Sequence, residues 1–77
     1  MKTTKIDTGY YAITVNGITF EAETMERATE GRENDGWRLL IREPEPDLED
    51  DCYHLEWCND FWTLKECKDA AEQIASW

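Results

Sequence analysis

The dipeptide Asn16-Gly17 lies between two runs rich in β-branched and aromatic residues, Tyr10-Tyr11-Ala12-Ile13-Thr14-Val15 and Ile18-Thr19-Phe20-Glu21-Ala22. Both central positions of a type I′ turn require positive φ, which asparagine and glycine tolerate best, so this stretch specifies a two-residue β-hairpin. The loop length sets the register: Val15 faces Ile18, Ile13 faces Phe20 and Tyr11 faces Ala22, and the six side chains share one face. That face needs a cover. Tyr10, Ala12, Thr14, Thr19, Glu21 and Glu23 point the other way, as expected for a sheet with one solvated side.

The rest of the chain supplies partners for the hairpin. Residues 24–35 show no strong period and read as a loop with no more than one helical turn. Asn34-Asp35-Gly36 is a turn signal that leads into a third strand, Trp37 to Arg42, with Trp37, Leu39 and Ile41 inward. The stretch from Glu43 to Asp51 is acidic and interrupted by Pro44 and Pro46, which exclude helix, so it reads as an exposed linker. Cys52 to Trp57 alternates as a fourth strand, with Tyr53, Leu55 and Trp57 on one side and Cys52, His54 and Glu56 on the other, ahead of a turn at Asn59-Asp60.

A helix begins at Thr63, the N-cap of a capping box closed by Glu66, with Trp62 placed to staple onto Cys67. Leu64, Cys67, Ala71 and Ile74, with Ala70 and Trp77 alongside, form its apolar stripe. The expected fold is α+β: an antiparallel sheet of four strands, or five if Phe61 and Trp62 extend into one, with one C-terminal helix packed on one face. At 77 residues the chain is expected to form a single acidic domain, 1–77.

Charge narrows the function classes. Eighteen acids against eight Lys and Arg give a formal net charge of -10. Nucleic-acid backbones and anionic membranes would repel such a body, whereas basic surfaces attract it. With 40% hydrophobic residues and four Trp the chain has enough apolar area to fold, on a margin of about 3–5 kcal/mol. The uncharged stretch from Thr8 to Phe20 alternates and lacks the continuous apolar run of a membrane span. Lys2 and Lys5 run into Asp7 without the apolar region of a secretory signal. Three cysteines cannot close a disulfide framework, which suits a reducing compartment, so the expected location is cytoplasmic.

The acids are unevenly placed: no Lys or Arg occurs between Glu43 and Leu64, a window holding eight of them. In extended chain, alternate side chains stand about 6.5 Å apart, so Glu43, Glu45, Asp47, Glu49 and Asp51, with Asp50, would present a row of negative charge along one edge. Glu21, Glu23, Glu26 and Glu30 add a second acidic region. The bland reading of any acidic run is a solvated loop that maintains solubility. It is weakened here, because solubility rarely requires a net charge beyond about 8 in magnitude for a small domain.

Chemistry beyond binding has little support. Cys52, His54, Cys58 and Cys67 carry zinc-binding atoms, yet Cys-x-His-x3-Cys with a later cysteine matches no common structural-zinc spacing, and Cys67 already belongs to the helix stripe. His54 is the sole histidine and no nucleophile motif surrounds it; the four glycines at 9, 17, 31 and 36 form no phosphate loop. No catalytic residue, metal or cofactor is therefore expected. Of the aromatics Trp37, Tyr53, Trp57, Trp62 and Trp77, most are expected in the core, while Tyr10 and Trp77 are candidate exposed anchors.

In length, charge, hairpin, acidic window and terminal helix, the chain resembles the small acidic inhibitors that phages direct against bacterial defence, in particular anti-CRISPR proteins. No family motif is shared residue by residue. The resemblance implies a double-stranded-DNA mimic that occupies the basic channel or PAM-reading surface of a CRISPR effector complex, as a monomer or weak homodimer. Glu43, Glu45, Asp47, Glu49, Asp50 and Asp51, aided by Glu21, Glu23 and Glu26, would then engage Lys and Arg that normally hold phosphates. The alternative is an adaptor module that binds through exposed aromatics.

Overall fold

The computed structural model describes residues 1–44 and 53–76. Strands β1 (Lys2–Asp7), β2 (Tyr10–Val15), β3 (Ile18–Thr24), β4 (Trp37–Pro44) and β5 (Tyr53–Phe61) form one sheet in sequence order, every neighbouring pair antiparallel. A short helix α1 (Met25–Ala28) interrupts the path from β3 to β4, and α2 (Leu64–Ala75) follows β5. The architecture is α+β, a five-stranded antiparallel sheet with a C-terminal helix. No helix among the described residues is long and apolar enough to cross a membrane.

The hairpin has the expected register, with Val15 opposite Ile18, Ile13 opposite Phe20 and Tyr11 opposite Ala22. Asn16 and Gly17 adopt φ of 51° and 80°, as its turn type demands. The buried cluster holds Ile13, Val15, Phe20, Ala22 and Leu39 from the sheet and Cys67 and Ala71 from α2, with Leu64, Ala70 and Ile74 against it. Tyr11 and Trp37 extend it as a tilted ring pair with centroids 5.8 Å apart. Thr63 caps α2 as the capping box requires, its hydroxyl accepting from Glu66 N at 3.2 Å.

Three expectations need correction. The fifth strand is β1 rather than an extension through Phe61 and Trp62. Its Lys-Thr-Thr-Lys sequence carries no apolar alternation, and it pairs with β2 as an edge strand whose lysines discourage further strand addition. Asn59-Asp60 is not a turn but part of β5, which runs on to Phe61 opposite Trp37.

The third correction concerns which way β5 faces. A β-bulge falls where pairing shifts between Leu39 and Leu40, leaving Cys58 without an opposite residue. Counting back from Phe61 without the bulge, Trp57 would stand opposite Ile41, above the core. With it, Trp57 stands opposite Leu40, Leu55 opposite Arg42 and Tyr53 opposite Pro44. A shift of one residue exchanges the faces of a strand, so Tyr53, Leu55 and Trp57 lie on the face away from the cluster, 46%, 42% and 58% exposed. Cys58 packs against the cluster in their place. Trp62 likewise does not staple: it is 74% exposed, while Cys67 turns fully into the core.

Gly36 sits at the entry to β4 with φ of +100°, and a methyl group added there would lie 2.7 Å from the Phe61 carbonyl oxygen. Backbone on both sides leaves no flexible atom to yield. Gly36→Ala is expected to destabilise the domain by about 1–3 kcal/mol, read as a lower urea midpoint with an unchanged denaturant slope.

Candidate partner-binding surface

Alternation along β3 turns Glu21 away from the core cluster, yet its side chain is only 1% exposed. Neighbouring strands enclose it. Arg42 on β4 donates from Nε to Glu21 Oε2 at 2.7 Å, Tyr10 on β2 donates its hydroxyl to Oε1, and the Tyr53 hydroxyl on β5 approaches Oε2 at 3.4 Å. The Arg42 guanidinium also lies over the Tyr53 ring, 4.7 Å from its centroid, and Arg27 lies 4.8 Å over Tyr10. Glu21 therefore cannot contribute to an exposed acidic surface, which corrects its assignment: its charge is enclosed and neutralised by Arg42. The single alternation signal marked its direction correctly, but nothing in the sequence marks the arginine and two tyrosines that converge on it from three other strands.

The same pairing recurs across this face. Arg27 meets Asp7 at 3.3 Å and Arg38 meets Asp60 at 3.3 Å, where the Trp57 indole also donates to the same carboxylate oxygen at 2.9 Å. Thr8 N and Arg27 hold the Asp7 carboxyl below the usual carboxylate range. Arginines on this face are thus each matched by a carboxylate. Burial works against the charge of Arg42, but hydrogen bonding and attraction to Glu21 win and raise its pKa.

The unmatched acids lie elsewhere. Glu26, Glu30, Glu33 and Asp35 are exposed on the connection from β3 to β4 and make no ion pair among the described residues. Thr24 caps α1 and so presents Glu26 in its first turn, and Glu30 and Gly31 reverse the chain with φ of 56° and 87°. Thr29 then fixes the return: its hydroxyl donates to Met25 O at 2.6 Å and accepts from Glu33 N at 2.8 Å. Of the expected binding acids, Glu26 belongs to this group. Glu23 is half-buried opposite Arg38 and Tyr10, and Glu43 is half-buried opposite His54 near the far end of β4. Glu45, Asp47, Glu49, Asp50 and Asp51 lie outside the described residues. Their segment joins Pro44 to Tyr53, which is the opposite end of β4 from Asp35, about 23 Å away at the usual strand rise.

Glu33, Asp35 and Asp60 were not among the expected binding acids; their place around one cavity depends on the turn at Thr29 and the length of β5. Among the described residues, no group of three or more His, Cys, Asp or Glu is placed to hold a metal ion. Cys67 is enclosed in the core, His54 Nε2 lies 3.0 Å from Glu56 Oε1, and Cys52 lies outside the described residues.

Three neutral acids tie stability to alkaline pH, among them the Cys58 thiol, which burial and the Glu43 charge push up. Burial, with the nearby Glu66 and Asp60 charges, pushes the Cys67 thiol from 9.0 to about 12. Burial and the Glu21 carboxylate push the Tyr10 phenol from 10.0 to about 12. In all three, the fold favours the protonated form, so that stabilisation is complete below the unfolded pKa and is lost as pH rises towards the folded one. The urea midpoint is expected to hold steady up to about pH 8.5 and to fall above about pH 9, and the double replacement Cys58→Ala with Cys67→Ala is expected to move the onset up towards that of Tyr10, near pH 10. Urea titrations across this range check both statements. No protein family matches the chain, and no curated protein or solved structure matches it.

Proposed function

We propose that this protein is a non-enzymatic inhibitor that occupies a cationic, nucleic-acid-binding surface of its target, in the manner of anti-CRISPR DNA mimics. The observation that carries the reading is the division of charge. Arg27, Arg38 and Arg42 are each matched to a carboxylate, and Glu26, Glu30, Glu33 and Asp35 are exposed together on one connection against Arg32. A second acidic stretch, Glu43 to Asp51, follows in the sequence. Exposed acids beside a sheet whose arginines are paired offer net negative charge to a basic groove.

Affinity capture from a bacterial host extract, with and without competing duplex DNA, tests the proposal. The expected partner is a nucleic-acid-binding complex, such as a CRISPR effector, that duplex DNA releases. A partner with no nucleic-acid-binding activity, retained in the presence of DNA, would contradict it.

The exposed strip of Tyr53, Leu55 and Trp57 favours a second reading, an adaptor that binds through aromatics. Under it, Trp57→Ala would weaken capture more than any charge reversal, and salt would matter little.

A further inference from the structure

We propose that the cavity between α1 and the end of β5 is a socket for one arginine side chain of the basic partner. This rests on the reading above and names the chemistry of one of its contacts. The cavity has a volume of about 280 Å³ and is lined by Met25, Phe61 and Trp62 with three acidic residues, Glu33, Asp35 and Asp60.

Its walls are fixed by the backbone. Met25 N donates to Gly36 O at 3.0 Å, tying the start of α1 to the entry of β4, and Glu33 is held through Thr29. Trp62 is the unusual member. The position before a helix N-cap normally buries its apolar side chain against the first turns, but here the indole remains 74% exposed at the mouth of the cavity. A large aromatic surface left in water beside three acidic residues attracts a cation and repels an anion.

An arginine satisfies both halves of the site. A guanidinium stacks on an indole face through cation–π attraction while its in-plane N–H groups donate to carboxylates, and its methylene stem covers apolar wall. The Asp60 Oδ1 atom is already taken by Arg38 and Trp57, whereas Oδ2 has no bond among the described residues. Lysine would gain the charge attraction without the planar stack and fork.

The test uses the full chain and oligo-arginine, oligo-lysine and oligo-citrulline peptides as probes, followed by two-dimensional NMR of the four tryptophan indoles. Trp62→Phe identifies the Trp62 resonance. Oligo-arginine is expected to shift that resonance, and the uncharged oligo-citrulline to leave it unmoved. Trp62→Ala is expected to weaken oligo-arginine binding about five- to tenfold and oligo-lysine binding by less. Its thermal midpoint should be unchanged, since the side chain contributes no core contact.

Equal binding of oligo-arginine by the wild type and Trp62→Ala, or a Trp62 resonance that stays still, overturns the socket while leaving the basic-partner reading intact. Failure of both cationic peptides to bind the wild type at low salt overturns the underlying reading and the socket with it.

Discussion

Arg42→Met is expected to unfold the domain in buffer without denaturant. Glu21 is 1% exposed and Arg42 is the cation within hydrogen-bonding distance of it, at 2.7 Å. Losing one partner of a buried pair leaves an uncompensated charge and costs about 3–5 kcal/mol. A domain of this length holds about 3–5 kcal/mol in all, so the loss consumes the margin. The hydroxyls of Tyr10 and Tyr53 soften the effect but supply no positive charge. The double replacement Glu21→Met with Arg42→Met removes both charges, and a well-packed apolar pair of similar volume is often neutral or stabilising. The single variant should therefore lose its far-ultraviolet circular dichroism and cooperative melt, and the double variant should regain them. A single variant that melts within a few degrees of wild type would show that Arg42 does not compensate Glu21.

Simultaneous reversal of Glu26, Glu30, Glu33 and Asp35 to lysine is expected to weaken partner binding by at least about tenfold. Exposed ion pairs are worth about 0.2–1 kcal/mol each, and a like charge in the same place costs a similar amount. Four reversals then sum to about 2–8 kcal/mol, and each 1.4 kcal/mol is about tenfold in affinity. The four side chains are exposed, so the melting temperature should hold. A control that reverses Asp69 and Glu72 on α2 should have a much smaller effect per charge, because those residues lie on another element. Equal losses per charge would mean that net charge alone matters and that the location of these acids does not.

The fold was legible wherever a local rule sufficed. The hairpin follows from Asn16-Gly17, β4 from Trp37-Arg38-Leu39-Leu40-Ile41, and α2 from Thr63 and its apolar spacing. What escaped was decided by tertiary pairing. β1 has no apolar alternation of its own and exists because β2 offers an edge. The orientation of Tyr53, Leu55 and Trp57 depends on a bulge at Cys58 that no turn residue announces; it lets Cys58 and Phe61 both reach the core from one strand. The site divides in the same way. An excess of acid is visible in composition, but which acids are spent on arginines is visible only once β3, β4 and β5 lie side by side. Glu21, conspicuous as a charge in a strand, proves to be internal, and Glu33 and Asp35 prove to border a cavity with Trp62.

The proposed function requires that exposed carboxylates beside a charge-divided sheet compete with nucleic acid for a cationic surface. Its most direct test is the affinity for the captured partner, measured by displacement of labelled duplex DNA as salt rises from about 50 to 200 mM. Complete displacement at low salt is expected, with an inhibition constant that weakens at least tenfold across this range. An unchanged affinity, or binding that leaves the duplex in place, would contradict it.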